Sequence, residues 1–168
     1  MSTVTFEGKT LHLDGELPVV GAEAPSFTLV ANDLSEKRLR DFAGNVLVLA
    51  SVPSLDTPVC DLEARKFNEE AAKLSDKVKI AVVSCDLPFA QARWCGAVGA
   101  KNLETLSDYR ENDFGHHYGV LIRELKLLAR AIFVIDKNGI LSYRQLVPEI
   151  THQPDYAPVM EAINKALK

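Results

Sequence analysis

The chain reads Asn45-Val-Leu-Val-Leu-Ala-Ser-Val-Pro-Ser-Leu-Asp-Thr-Pro-Val-Cys60 at the point where a buried strand gives way to a helix. Asn45–Val52 is a continuous apolar run rich in Val and Leu, which is typical of a strand that is buried on both faces. Thr57 followed by Pro58 is typical of a helix start, with Thr57 as the N-cap and Pro58 as the first helical residue. A strand followed by a helix predicts an α/β arrangement, in which active sites collect beyond the C-terminal ends of the strands.

The elements predicted on either side of this stretch alternate between strand and helix. They are a hairpin of Thr3–Phe6 and Thr10–Leu13, a strand at Phe27–Val30, a helix from Pro58 to about Leu74 that places Leu62, Phe67, Ala71 and Leu74 near helical spacing, a strand at Lys77–Cys85, a short helix at Phe89–Cys95 ended by Gly96, a hairpin of Arg130–Asp136 and Ile140–Val147 around Asn138-Gly139, and a helix from Tyr156 to Leu167. This order predicts an α/β sandwich in which helices flank a central mixed sheet and a β-hairpin precedes it. The length of 168 residues favours one domain over residues 1–168.

Composition excludes several classes of partner. The net charge is −4 and no basic run is longer than a pair, which argues against nucleic acid. The longest apolar runs, such as Val46–Val52, are far shorter than a membrane span, so we expect no membrane partner. The segment Met1–Lys9 lacks the basic start and apolar core of a signal peptide, which makes the cytoplasm the expected compartment.

The four histidines have no spacing that suits a zinc site. His116 and His117 are adjacent, so on a helix their side chains would diverge, and His12 and His152 are distant in sequence. We therefore expect no metal and no cofactor.

The three cysteines, Cys60, Cys85 and Cys95, are too few and too unevenly spaced for a secreted disulfide framework. In a reducing compartment, each is either a small buried hydrophobe or a reactive thiol. Taken alone, Cys85 and Cys95 fit the first description, since Cys85 ends a predicted buried strand and Cys95 follows an aromatic residue. Cys60 differs because Thr57 as N-cap places it in the first turn of a helix.

First-turn backbone N–H groups lack partners within the helix, and the positive end of the helix dipole favours a thiolate at Cys60. Ionisation alone cannot make a fast thiol catalyst, because the nucleophilicity of a thiolate falls as the pKa of its thiol falls. Fast attack by such a thiolate also needs donors that bind the substrate and stabilise charge on its departing group. The residue types required are the Thr57 hydroxyl, the N–H groups of this turn and an arginine.

Three segments that follow one another along the chain carry a family resemblance. Val52–Cys60 contains the pattern P-x-x-x-T-x-x-C, and it is followed by Asp86-Leu-Pro-Phe-Ala-Gln-Ala-Arg-Trp-Cys95 and by Leu127-Leu-Ala-Arg-Ala-Ile-Phe-Val-Ile-Asp136. In this order they resemble the thiol-peroxidase branch of the peroxiredoxin family, and the likeness runs over essentially the whole chain. The resemblance implies a thioredoxin-like fold and the reduction of hydroperoxides by thiols.

The resemblance also implies a role for each matching residue. Cys60 would be the peroxidatic cysteine and Cys95 the resolving one, joined in a disulfide within one chain. Pro53 would shield the reactive sulfur from water, Thr57 would hydrogen-bond peroxide and thiolate, and Arg130 would place positive charge beside Cys60. The reductant would be thioredoxin, and the protein would be a homodimer.

The residues themselves leave other readings open at this point. Arg130 could pair with a surface carboxylate, which is the commoner fate of an arginine, and Thr57 could be only a helix cap. A thioredoxin-like disulfide oxidoreductase would share the fold, but it should carry C-x-x-C where the chain reads Cys-Asp-Leu-Glu from Cys60. A binding protein with incidental cysteines is a further alternative.

Three residues depart from the family pattern. Val52 stands where an aromatic residue is expected, Trp94 where phenylalanine is expected, and Lys126 where a small residue is expected. They leave the predicted chemistry intact and affect the shape of the pocket.

Overall fold

The computed structural model describes residues 2–168. Its elements alternate in the order that the sequence predicts, with several short additions. The strands are β1 (Thr3–Phe6), β2 (Lys9–Asp14), β3 (Thr28–Val30), β4 (Glu36–Arg38), β5 (Val46–Ser51), β6 (Val78–Ser84), β7 (Glu104–Ser107), β8 (Leu121–Ile122), β9 (Leu127–Leu128), β10 (Ala131–Ile135) and β11 (Leu141–Leu146), and the helices are α1 (Pro58–Ala71), α2 (Pro88–Val98), α3 (Asp113–His117) and α4 (Tyr156–Leu167), with a 3-10 turn at Leu39–Phe42.

Seven strands form the central sheet, in the order β11-β10-β5-β6-β7-β3-β4. β5, β6 and β7 run parallel and the other neighbours pair antiparallel, so the predicted mixed sheet is confirmed. Every residue of β5 is buried, because alternate side chains enter two separate apolar clusters on opposite faces. One cluster contains Cys60, Phe67 and Trp94 and packs α1, α2 and α4 against the sheet.

The predicted N-terminal hairpin is also confirmed, and it joins a second, four-stranded sheet of order β1-β2-β8-β9. Hydrogen bonds attach this hairpin to the segment Pro148–Thr151. Thr5 donates its backbone N–H to the Pro148 carbonyl at 2.7 Å and accepts from the Ile150 N–H at 2.9 Å. The Glu149 carboxylate accepts the Thr5 hydroxyl at 2.8 Å and the backbone N–H groups of Glu7 and Gly8.

Two predicted helix ends are wrong. α2 continues past Cys95 and Gly96 to Val98, and it ends at Gly99, whose φ of 67° is the left-handed conformation of a helix C-cap. α1 ends at Ala71 instead of Leu74. The predicted apolar face of α1 holds for Phe67, but Leu62 is 53% exposed.

Among residues 2–168, none of the helices combines the length and the apolar character that crossing a bilayer requires.

Candidate active site

Cys60 lies in the first turn of α1, as the local sequence predicts. Thr57 is the N-cap and Pro58 the first helical residue, and the Thr57 hydroxyl accepts the Cys60 N–H at 3.3 Å. The same hydroxyl donates to the Ser54 carbonyl at 3.1 Å. Cys60 is 0% exposed. The cap therefore fixes the backbone at Cys60 while packing shields its sulfur from bulk water.

Arg130, which immediately precedes β10, brings a positive charge to this sulfur. Its Nη2 donates to Cys60 Sγ at 3.2 Å and to the Ile150 carbonyl at 2.8 Å, and its Nε donates to the same carbonyl at 3.2 Å. Its Nη1 donates to Glu63 Oε2 at 3.0 Å. Arg130 is 1% exposed, so its partner is a buried carboxylate and a thiol, and the alternative of a surface ion pair is wrong. The guanidinium is held in one orientation because its planar fork has a partner on each side.

Glu63 is a buried acid that the sequence analysis does not single out. It lies three residues after Cys60 on α1, so the two side chains share one helix face, and this spacing is the signal that could have found it. Burial raises the pKa of the Glu63 carboxyl to about 7, although the Arg130 charge and hydrogen bond act in the opposite direction. Glu63 Oε1 has no hydrogen-bond partner among the described residues. Glu63 thus orients Arg130 while it titrates near neutral pH.

The loop between β5 and α1 is organised by Asp86, to which the sequence analysis gives no role. Its carboxylate accepts the Ser54 hydroxyl at 2.7 Å, the Leu55 N–H at 2.8 Å and the Ser84 hydroxyl at 2.7 Å. Pro53 is buried within this loop. The carboxylate at the end of β6 therefore positions the residues that lead into Thr57 and Cys60.

Cys95 lies on α2, in surroundings that differ from those of Cys60. Its Sγ is 3.3 Å from Thr105 Oγ1 and receives a weak bond from Asn32 Nδ2 at 3.9 Å. Thr105 belongs to β7, which is three strands from β10 across the sheet, or roughly 14 Å at the usual strand spacing. The three cysteines are all free thiols. The structure therefore describes a reduced protein in which the two predicted reactive sulfurs have separate polar partners.

Comparisons with known proteins identify the family of the chain. A family model described as Redoxin matches residues 19–160. The chain belongs to the Redoxin family. A thiol peroxidase of Bacillus subtilis is 49% identical over 168 residues, all of both chains, and one of Oceanobacillus iheyensis is 50% identical over 98% of this chain and 100% of its own. A solved peroxiredoxin-like protein from Aquifex aeolicus has a TM-score of 0.91 at 43% identity and covers 99% of this chain and 98% of its own.

Membership of the Redoxin family confirms the predicted thioredoxin-like fold and the resemblance to thiol peroxidases. Two of the three residues that depart from the family pattern, Lys126 and Trp94, have surroundings that bear on the difference. Lys126 has a φ of 57°, the left-handed conformation that favours glycine, which explains why a small residue is expected in this turn. Trp94 is buried and donates its indole N–H to Asp61 Oδ1 at 2.7 Å, a bond that phenylalanine could not make.

The third cysteine of this Redoxin chain lies in an environment that keeps it protonated. Burial raises the pKa of the Cys85 thiol to about 12, and the nearby carboxylates of Asp108 and Asp86 act in the same direction. Asn112 Nδ2 donates to its sulfur at 3.5 Å. Because the thiolate is the reactive form, Cys85 is a poor nucleophile in this fold.

Two of the four histidines make side-chain hydrogen bonds within the protein. His12 Nδ1 is 2.6 Å from Glu124 Oε1, and His117 Nδ1 is 2.8 Å from the Ser26 carbonyl. Over residues 2–168, no three His, Cys, Asp or Glu side chains cluster as a metal site would require.

Proposed function

We propose that this chain is a thiol-dependent peroxidase that reduces hydrogen peroxide and organic hydroperoxides at Cys60. The observation that carries the proposal is the 3.2 Å contact between Nη2 of the buried Arg130 and Sγ of Cys60, which lies in the first turn of α1. A positive charge there supports the thiolate and can also meet the negative charge that develops on a peroxide oxygen.

In the first step, the Cys60 thiolate attacks the terminal oxygen of the peroxide. The S–O bond forms as the O–O bond breaks, and the departing oxygen takes a proton and leaves as water or an alcohol. Cys60 is thereby oxidised to a sulfenic acid. Arg130 would bind the departing oxygen, whose charge grows as the O–O bond lengthens.

Thr57 and Pro53 would complete the peroxide site. A hydroxyl oxygen has two acceptor lone pairs, and the Cys60 N–H uses one of those on Thr57, which leaves the other for a peroxide O–H. The Val59 N–H is a further donor, since Pro58 has none and the Cys60 and Asp61 N–H groups bond to Thr57. Pro53 would form the apolar wall that keeps water from the thiolate.

In the second step, the Cys95 thiol attacks the sulfenic sulfur of Cys60. The new S–S bond replaces the S–O bond, and the hydroxyl leaves as water. A dithiol then reduces this disulfide by exchange through a mixed disulfide, and we propose thioredoxin as that reductant. We further propose that the whole of residues 1–168 acts as one domain, that two copies form a homodimer, and that the protein works in the cytoplasm.

A disulfide oxidoreductase is the alternative activity on the same fold. The absence of a second cysteine near Cys60 on α1 weighs against it, since Asp61, Leu62 and Glu63 follow. Peroxide consumption coupled to thioredoxin would support the peroxidase, insulin reduction would support the oxidoreductase, and neither activity would support a binding protein.

Replacing Cys60 by serine tests the proposed nucleophile. Cys60→Ser should abolish thioredoxin-coupled peroxide consumption and leave the circular dichroism spectrum unchanged, because serine fills nearly the same space without a reactive thiolate. Cys85→Ser is the matched control and should keep its activity. Appreciable turnover by the folded Cys60→Ser protein would contradict the assignment.

A further inference from the structure

One hydrogen bond joins the two helices that carry the reactive thiols. Trp94 Nε1, on α2, donates to Asp61 Oδ1, on α1, at 2.7 Å. Asp61 directly follows Cys60 and Trp94 directly precedes Cys95. The bond therefore ties together the immediate neighbours of the two cysteines.

The surroundings of this bond make it stronger than an exposed contact. Trp94 is 7% exposed, and the side chain of Asp61 is two-thirds covered. Asp61 also accepts Arg65 Nε at 2.8 Å through its other oxygen, but Arg65 is half exposed, so this ion pair is weak. Hydrogen bonds to an ionised acceptor are roughly twice as strong as neutral ones.

The reduced arrangement that this bond stabilises is unsuited to a disulfide. Cys60 Sγ contacts Arg130, while Cys95 Sγ contacts Thr105, and these partners are anchored three strands apart. To join, both sulfurs have to leave these partners, and a disulfide needs Cα atoms within about 7 Å, so we infer that the backbone at one or both cysteines moves. Because Asp61 and Trp94 are next to the cysteines, such a movement strains or breaks their bond.

We propose that the Trp94–Asp61 hydrogen bond sets the rate at which Cys95 attacks the oxidised Cys60. This inference rests on the proposed peroxidase function and assigns two positioning residues to its second step. The bond holds α1 and α2 in the arrangement that reacts with peroxide and delays the movement that forms the disulfide. Phenylalanine at position 94 would keep an aromatic side chain in the core and remove this delay.

The delay has a chemical consequence for the enzyme. While Cys60 is a sulfenic acid, a second peroxide molecule can transfer an oxygen to its sulfur, giving a sulfinic acid and releasing water or an alcohol. The sulfinic acid is beyond rescue by Cys95. A longer-lived sulfenic acid therefore makes the protein more sensitive to high peroxide, and breaking the bond should protect it.

The test separates the two steps by rapid mixing with hydrogen peroxide, followed by acid quench, thiol alkylation and mass spectrometry. In Trp94→Phe, the second-order rate of sulfenic acid formation should stay within about twofold, whereas the first-order rate of disulfide formation should rise about three- to tenfold, as expected for one lost hydrogen bond. The sulfinic fraction at excess peroxide should fall correspondingly.

Asp61→Asn distinguishes the hydrogen bond from the packing of the indole, because it leaves Trp94 in place and weakens only its acceptor. Disulfide formation should accelerate in this variant, by about two- to threefold for the loss of charge alone. The double variant should match Trp94→Phe, since no bond then remains to be weakened. Arg65→Gln, which removes only the other partner of Asp61, is the matched control and should behave as wild type.

Each other outcome identifies what has failed. Acceleration in Trp94→Phe without acceleration in Asp61→Asn, additive effects in the double variant, or unchanged disulfide formation in both single variants would overturn this inference while leaving the peroxidase intact. A wild-type protein that forms no sulfenic acid with peroxide would instead overturn the proposed function itself.

Discussion

The position of Arg130 in the site is fixed by several buried hydrogen bonds. It makes four hydrogen bonds, to Cys60, to Glu63 and twice to the Ile150 carbonyl, and all of them are buried. The Ile150 carbonyl takes two of these bonds, so Nη2 reaches the sulfur from a fixed direction. A positively charged side chain without the planar fork of arginine could not reach Cys60 and Glu63 at the same time.

Variants of Arg130 test this dependence on geometry. Arg130→Ala should lower the second-order rate with peroxide roughly 10²- to 10³-fold, which is typical for the loss of one donor to developing charge. Arg130→Lys should also be slow, because a point charge cannot serve both Glu63 and Cys60 as a fork does. Stopped-flow measurement of the first turnover provides the rates. Arg123→Ala, at an exposed ion pair, is the control, and wild-type speed in Arg130→Ala would make Arg130 purely structural.

At this scale, how far the sequence predicts a residue depends on how local its partners are. The positions of Thr57 and Cys60 can be predicted from the sequence, because an N-cap and a first helical turn are patterns of adjacent residues. The placement of Arg130 beside Cys60 is predicted only through the family resemblance, since its partner Glu63 lies 67 positions away. The bond between Trp94 and Asp61 could not be predicted, because it depends on how two helices pack.

α1, α2 or both have to change if their cysteines are to join, and this gives a prediction about the oxidised protein. Stoichiometric peroxide should produce a Cys60–Cys95 disulfide within one chain, because Cys85 is held as a thiol and is not on either helix. Segmental opening of the first turn of α1 and of α2 costs less than global unfolding, which makes the movement accessible.

Non-reducing electrophoresis and peptide mapping measure this outcome. A band of monomer mass that contains the Cys60–Cys95 peptide pair is expected, and Cys85→Ser should give the same band. Closing a loop of about 35 residues restricts the unfolded chain by roughly 3–4 kcal/mol, and the lost packing offsets part of this gain. A covalent dimer, or a link through Cys85, would be incompatible with the model.

Among the elements, long periodic segments are predicted well, whereas several short ones are missed. β5, β6, α4 and the β10–β11 hairpin follow from apolar runs, helical spacing and an Asn-Gly turn. β7, with four residues, and α3, with five, are too short to show a period, and their existence depends on the neighbouring strands and the core that receive them. The end of α2 is mispredicted because either Gly96 or Gly99 could serve as a C-cap.

For the whole molecule, the buried Glu63 makes stability depend on pH. Its pKa of about 7 in the folded protein exceeds its ordinary value of 4.5, so between these pH values the folded state keeps a proton that the unfolded chain releases. The free energy of unfolding therefore falls as pH rises from about 4.5 to about 7 and levels off outside this window. The direction follows from burial, which outweighs the Arg130 charge.

Glu63→Gln should remove this contribution. The difference in unfolding free energy between wild type and Glu63→Gln should decline by at most about 3 kcal/mol across the window. Urea denaturation of the reduced proteins at pH 5, 6 and 7 measures it. Asp108, whose pKa burial raises to about 6, titrates in both proteins and cancels in the difference. A difference that is constant from pH 5 to 7 would refute this account of Glu63.

The attachment of the N-terminal hairpin to the segment after β11 has a consequence for the growing chain on the ribosome. The Ile150 carbonyl that orients Arg130 belongs to a segment that Thr5 and Glu149 fasten to β1. Thr5 can pair with β2 early, but its contacts with Glu149 form only after the 144 positions that separate the two residues have been synthesised. Until then, the nascent chain carries Cys60 without a fixed Arg130 beside it, so under our proposal its sulfur is less reactive during synthesis than in the folded protein.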